Sequence, residues 1–214
     1  MIKKIIGYVA AMMMTAAACT GFTVAGQGYE MYQAAVAETS LESMVDSIRS
    51  KEGYTTLEEL PDTYLNAVVS VEDHRFYSHF GLDPIAICRA LVNDLRAGRY
   101  VEGGSTITQQ LARTIFLNRE ISWQRKVKEM FVAVELEKKY SKDQILEFYL
   151  NNVYFANGYY GIEAASRGYF NKSAKDLTMA EAAFLCAVPN APTMYDPLVN
   201  KDKTMTRQRK ILKD

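Results

Sequence analysis

The stretch Asp83-Pro84-Ile85-Ala86-Ile87-Cys88-Arg89-Ala90-Leu91-Val92-Asn93-Asp94-Leu95-Arg96-Ala97-Gly98 decides the fold class. Asp83 is an N-cap residue type, and Pro84 suits a first helical turn, where its missing N–H costs no hydrogen bond. Ile85, Cys88, Val92 and Leu95 follow at spacings of 3, 4 and 3, which puts them on one helical face. Gly98 stands where a left-handed C-terminal residue belongs. On that stripe Cys88 is expected to be a buried thiol.

The same punctuation recurs further along the chain. Ser141-Lys142-Asp143-Gln144 and Thr178-Met179-Ala180-Glu181 match the capping box, in which two orphan N–H groups are satisfied reciprocally. The second helix runs through Phe184 and Leu185, with Cys186 expected to be buried, and must stop before Pro189. Alternating β-rich runs are scarce. The chain reads as mainly α.

Its 214 residues leave room for one domain of ordinary size. Lys+Arg 25 against Asp+Glu 25 provides no bulk basic field, so nucleic acid is not an expected partner. Mean hydropathy of −0.15 excludes a polytopic membrane protein. Cys19, Cys88 and Cys186 fit neither a disulfide framework nor a zinc pattern. After Lys3 and Lys4, residues 5–29 are 25 positions without a charge. That is long enough for a membrane span, and the basic pair favours a cytoplasmic N-terminus. A cleaved signal peptide ending at Ala16-Ala17-Ala18 is the rival, with a weaker lipoprotein reading at Cys19. The preferred division is an uncleaved anchor over 1–29, a polar stalk over 30–54 and an extracytoplasmic domain over 55–214.

The chemistry begins with an anomaly. Over Pro61–Phe80 the apolar stripe runs Leu65, Val69, Glu72 and Phe76, so a carboxylate takes a position assigned to the buried face. Desolvation there raises a carboxyl pKa and makes Glu72 a plausible base. A second carboxylate, Glu129, lies beside the stripe Trp123, Val127, Met130 and Val134. Arg125, Lys126 and Lys128 surround it and favour its ionised form. Two carboxylates in opposed settings suit a division of acid and base roles. Solvated helix-face pairs are the alternative for both.

Gly103-Gly104-Ser105-Thr106-Ile107-Thr108-Gln109-Gln110 feeds hydroxyls and carboxamides into a helix with Ile107, Leu111 and Ile115. Free backbone N–H groups and neutral donors suit a sugar or a phosphate. No Gly-Lys-Ser/Thr follows, so it is not a P-loop. His74 and His79 are five apart and do not share a face as zinc ligands would. Arg89, Arg96 and Arg99 form a solvated or headgroup-facing row, the latter preferred beside an anchor.

Glu72-Asp73-His74-Arg75-Phe76-Tyr77-Ser78-His79-Phe80-Gly81 resembles the first motif of the family 51 peptidoglycan glycosyltransferases. Gly103 to Leu111 resembles the second motif, and Arg125-Lys126-Val127-Lys128-Glu129 the third. Lys142-Asp143-Gln144-Ile145-Leu146-Glu147-Phe148-Tyr149-Leu150-Asn151 is similar to the fourth. Leu177 to Pro197, with Glu181, Pro189, Pro192 and Pro197, is similar to the fifth. The likeness is collinear from about Thr55 to Leu212. Arg113 departs from the more usual lysine, and Ala156 from a common glycine.

This resemblance implies a lysozyme-like α-helical domain with a smaller membrane-associated lobe. It implies polymerisation of lipid II, with inversion, onto a growing lipid-linked glycan strand and release of undecaprenyl pyrophosphate. Glu72 matches the general base and Glu129 the second essential carboxylate. Ser105, Thr106, Gln109 and Gln110 match donor-site contacts, and Arg113, Arg125, Lys126 and Lys128 would supply charge for the pyrophosphate. Asp73, Phe76 and His79 complete the substrate-side set, His79 as a hydrogen-bonder beside the site. No cofactor is required; a magnesium or manganese ion remains an open alternative, although no all-protein metal cage is visible. The implied setting is the bilayer of a bacterial cell membrane, with other cell-wall synthases as further partners.

No serine opens Ser-x-x-Lys and Lys-Thr-Gly is absent, so transpeptidation is not expected of this chain. A wall-cleaving enzyme on the same scaffold and an idle membrane-bound scaffold are the rival functions.

Overall fold

A computed structural model describes residues 23, 26–34, 36–99, 103–116 and 123–213. Residues 26–34 and 36–38 are helical. They are followed by α1 (Leu41–Arg49), α2 (Asp62–Glu72), α3 (Pro84–Ala97), α4 (Ile107–Phe116) and α5 (Trp123–Lys139). Next come α6 (Lys142–Asn152), α7 (Ile162–Phe170), α8 (Met179–Cys186) and α9 (Lys201–Ile211). Among the described residues β structure is confined to two isolated bridges, Phe80 with Leu82 and Tyr154 with Tyr160.

Local caps set the helix ends. Asp83 accepts from the N–H groups of Ile85 and Ala86, and Gly98 closes α3 in the left-handed region at φ 63°. Ser141 with Gln144 and Thr178 with Glu181 form complete capping boxes on α6 and α8.

The core centres on α6, where Ile145, Leu146, Phe148, Tyr149 and Leu150 are all buried. α4 packs on both α5 and α6, α2 on α8, and α8 on α9. The fourth motif ties the start of the domain to this core. Asn151 exchanges hydrogen bonds with both backbone groups of Thr55, and Glu147 accepts from the Tyr54 hydroxyl and the Leu57 N–H.

Three expectations are corrected here. Residues 41–49 are not part of a stalk: Leu41, Val45 and Ile48, spaced 4 and 3, bury one face of α1 on α6. Polar neighbours had masked that stripe. The apolar stripe of α3 faces outward, with Ile85 64%, Val92 44% and Leu95 72% exposed, so Cys88 is exposed rather than buried. Only Ala90 of that helix is buried. On α5 the core face is Glu129, Val132, Ala133 and Leu136, so Glu129 lies on the buried stripe rather than beside it. The face carrying Phe131 is covered by Tyr29 and Tyr32, with ring centroids 5.3 and 6.1 Å away.

The expected anchor lies outside the described residues except for residues 23 and 26–29. Among the described residues no helix is long and apolar enough to cross a membrane.

Candidate active site

α2 ends at Glu72, because Asp73 leaves helical geometry at φ −162° and ψ 73°. Phe76 therefore falls in a separate 3-10 turn, and the buried stripe of α2 is Tyr64 and Val68, with Glu72 one turn on. Oε2 of Glu72 accepts from Nε2 of Gln110 at 3.0 Å, while Oε1 is buried without a partner. The Tyr149 hydroxyl donates to Oε1 of Gln110 at 3.2 Å and fixes the carboxamide's orientation. Burial pushes the Glu72 carboxyl above its ordinary range. The Gln110 hydrogen bond and the charges of Arg207 and Arg113 pull the other way, and Asp73 adds to the rise.

Asp73 turns away from Glu72 to hold the glycine-rich segment. It accepts from the Ile107 N–H at 3.0 Å, capping α4, and both its oxygens lie 3.0 Å from Nε2 of His79. The Thr106 hydroxyl donates to the Gly81 carbonyl at 2.7 Å, joining the two motifs. Thr106 and Gln109 cap each other reciprocally at 3.1 Å. A Cβ on Gly104 would sit 3.1 Å from Cα of Ile87, a tight contact that glycine avoids where this loop lies against α3.

Glu129 is 1% exposed. Lys126 donates to its Oε1, and Nε of Arg113 lies 4.0 Å from its Oε2. The Lys126 ammonium also donates to the Ser105 hydroxyl at 3.0 Å, which carries the charge towards the glycine-rich loop. Glu129 is thus held between the Lys126 ammonium and the Arg113 guanidinium. Lys128 points elsewhere: its ammonium donates to the Phe116 carbonyl at 3.1 Å.

Two cavities meet at Val71, Glu72, Gly103, Ser105 and Asn190. The smaller, about 340 Å³, continues past Gln110, Arg113 and Tyr149. The larger, about 750 Å³, continues past His74, Arg89, Arg99, Arg207 and Lys210. Asp73 and Thr106 also line the larger cavity. Both spaces are thus bordered by cations, and Glu72 stands between them.

Phe76, His79, Gln109, Arg125, Lys126, Lys128 and Glu129 line neither cavity. Phe76 is fully buried, under the Lys142 ammonium at 4.4 Å, and Gln109 is spent on its cap. Sequence reasoning missed Tyr149, Asn190 and Arg207 as site residues. Tyr149 offered a signal in the fourth motif, where a tyrosine neighbours Glu147, but such a residue also reads as core.

Among the described residues, the Glu129 carboxylate near Ser105 is engaged by Lys126 and Arg113. Asp73, His79 and Asp83 bring ligand atoms within 4.8 Å of one another. The Asp83 oxygens are taken by Arg75 and two backbone N–H groups, however, and those of Asp73 by His79 and Ile107.

A family model described as Transglycosylase matches residues 38–214. Penicillin-binding protein 1F of Bacillus subtilis (strain 168) is 50% identical over 73% of this chain and 22% of its own length. Penicillin-binding protein 1A of Aquifex aeolicus (strain VF5) is 45% identical over 76% of the chain and 22% of its own length. Penicillin-binding protein 4 of Bacillus subtilis (strain 168) is 35% identical over 100% of the chain and 38% of its own length. The chain therefore spans well under half the length of these relatives.

Proposed function

Because this chain belongs to the transglycosylase family, we propose that it is a peptidoglycan glycosyltransferase that polymerises lipid II with inversion, using Glu72 as general base. The carrying observation is the Glu72 carboxylate itself, which lines both cation-bordered cavities and has one buried oxygen, Oε1, without a partner. A base needs a free lone pair within reach of the proton it removes and an affinity poised near working pH. Gln110 occupies only Oε2 of Glu72, and burial moves the carboxyl's proton affinity upward.

In this reading one cavity holds the lipid-linked growing strand and the other the incoming acceptor. The acceptor's 4-hydroxyl passes its proton to Glu72 as its oxygen forms a bond to the anomeric carbon. The carbon–oxygen bond to undecaprenyl pyrophosphate breaks on the opposite face, and the leaving oxygen keeps the electron pair. Arg113 and Lys126 offset the charge that develops there, and Glu129 holds both cations in place. No step is assigned to a divalent ion. The outward apolar face of α3 supports contact with the bilayer that carries both substrates, in a lysozyme-like fold with a membrane-associated lobe. The single-pass anchor over residues 1–29 belongs to the same proposal.

Incubation of the purified protein with labelled lipid II, with and without moenomycin, tests this reading. Moenomycin-sensitive polymer is the expected product. Fragments released from finished wall, with no polymer from lipid II, would instead favour the cleaving enzyme.

A further inference from the structure

The larger cavity contains a cation that the proposed mechanism leaves unused. Arg207 lies on α9, in a run of basic residues of which Lys210 also lines this cavity. Gln208 pins this helix to α8 by donating to the Ala180 carbonyl at 2.6 Å, and Nε of Arg209 donates to the Met205 carbonyl. Arg207 instead turns inward. Its guanidinium lies 5.1 Å from the centroid of the Tyr195 ring, and its Nε is buried without a hydrogen-bond partner. The Tyr195 backbone is itself held by the buried Thr204 hydroxyl at 3.0 Å. Among the described residues no carboxylate pairs with Arg207, yet it lines the same cavity as Glu72.

We propose that Arg207 is a positioning residue for the reaction, a preset counter-charge in the larger cavity that keeps the Glu72 carboxylate anionic and ready to take a proton. The proposal rests on the reading of Glu72 as base. Each element packed around that carboxylate bears on it. α2 contributes Tyr64 and Asp73, α4 contributes Gln110 and Arg113, α6 contributes Tyr149, α8 contributes Cys186, and α9 contributes Arg207. His74, Arg89, Arg99 and Lys210 stand on the cavity wall. Burial keeps Tyr64, Tyr149 and Cys186 protonated at neutral pH, so they add no charge. Arg113 is shared with Glu129. Among the described residues Arg207 has no such competitor, and it lines the same cavity as Glu72. A cation fixed by a ring rather than by a carboxylate keeps its full field available in a low-dielectric cleft.

The test is the pH dependence of kcat/KM for lipid II polymerisation in the full chain, compared for the parent, Arg207→Met and Arg207→Lys. Glu72 without its counter-charge stays protonated to higher pH, so the acidic limb of Arg207→Met should move upward. On the parent's limb its rate, relative to its own plateau, should fall by a factor on the order of 3–10. Arg207→Lys should keep the limb near its original place. An unmoved limb in Arg207→Met overturns the proposal, whatever the plateau height, because loss of a merely structural residue lowers the whole profile without displacing it. If Arg207→Met does not fold by circular dichroism, Tyr195→Leu carries the test. It frees the guanidinium while keeping its charge, and must displace the limb in the same direction or the proposal fails. Glu72→Gln separates the two readings: retained polymerisation there defeats the base assignment, whereas its loss beside an unmoved Arg207→Met limb defeats only the counter-charge.

Discussion

Gln110 donates to one oxygen of Glu72 and leaves the other without a partner in a buried position. The asymmetry is fixed from behind, since the Tyr149 hydroxyl occupies Oε1 of Gln110 and forces its NH₂ towards Glu72. A carboxylate held in this way has one oriented oxygen and one available lone pair, which is the geometry a general base requires.

Replacing Glu72 with Gln keeps the shape and removes the base. Lipid II should still bind, measured by retention on immobilised protein, while polymerisation falls by a factor on the order of 10²–10⁴. Glu129→Gln should behave differently, because Lys126 and Arg113 lose their shared partner and binding and turnover suffer together. Near-normal polymer from Glu72→Gln would remove the base assignment.

The same substitution should raise stability in a pH-dependent way. Burial lifts the Glu72 carboxyl, so the native state holds its proton to higher pH than the unfolded chain does. Between the unfolded value, about 4.3, and the higher folded one, the native state binds more protons and stability falls as pH rises. The penalty is complete above that window and absent below it. Thermal unfolding should therefore show Glu72→Gln above the parent at pH 7–8, with the gap closing towards about pH 4. A gap that does not change with pH would contradict the burial argument.

Ala156 is a second site where local strain makes a forecast. It adopts φ 66° inside the turn Phe155-Ala156-Asn157-Gly158, followed by Asn157 at φ 51° and Gly158 at φ 81°. A Cβ in the left-handed region is costly, and glycine, which resembles the family's usual choice here, avoids the clash. Ala156→Gly should stabilise the fold by about 0.5–1 kcal/mol, after the entropy that glycine loses on folding. Urea unfolding curves with unchanged slope would measure it, and a lower midpoint would refute it.

The outward face of α3 tests the membrane reading independently of catalysis. Ile85, Leu91 and Leu95 are exposed and apolar, and replacing all three with Gln removes no buried contact. Melting temperature should hardly change, since exposed substitutions stay within about 0.5 kcal/mol each. Co-sedimentation with phospholipid vesicles should fall several-fold. Undiminished vesicle binding would show that α3 is not the docking face.

Whatever depended on neighbours a few residues apart was legible in the sequence. Asp83, Pro84 and Gly98 bounded α3, and the pairs Ser141 with Gln144 and Thr178 with Glu181 opened α6 and α8, because capping is settled within one turn. Glu72 stood out as a charge breaking an apolar stripe, and Glu129 as a carboxylate flanked by Arg125, Lys126 and Lys128. Periodicity reports which residues share a face, but not what covers it. Ile85, Leu91 and Leu95 were left uncovered, while Leu41, Val45 and Ile48 found α6 beneath them. Phe76 went into the core because α2 stopped at Glu72 so that Asp73 could cap α4. The Tyr149–Gln110–Glu72 chain and the approach of Arg207 join α2, α4, α6 and α9. Such long-range neighbours exist only once the helices have packed, since burial, and with it the proton affinity of Glu72, belongs to the assembled core rather than to any one segment.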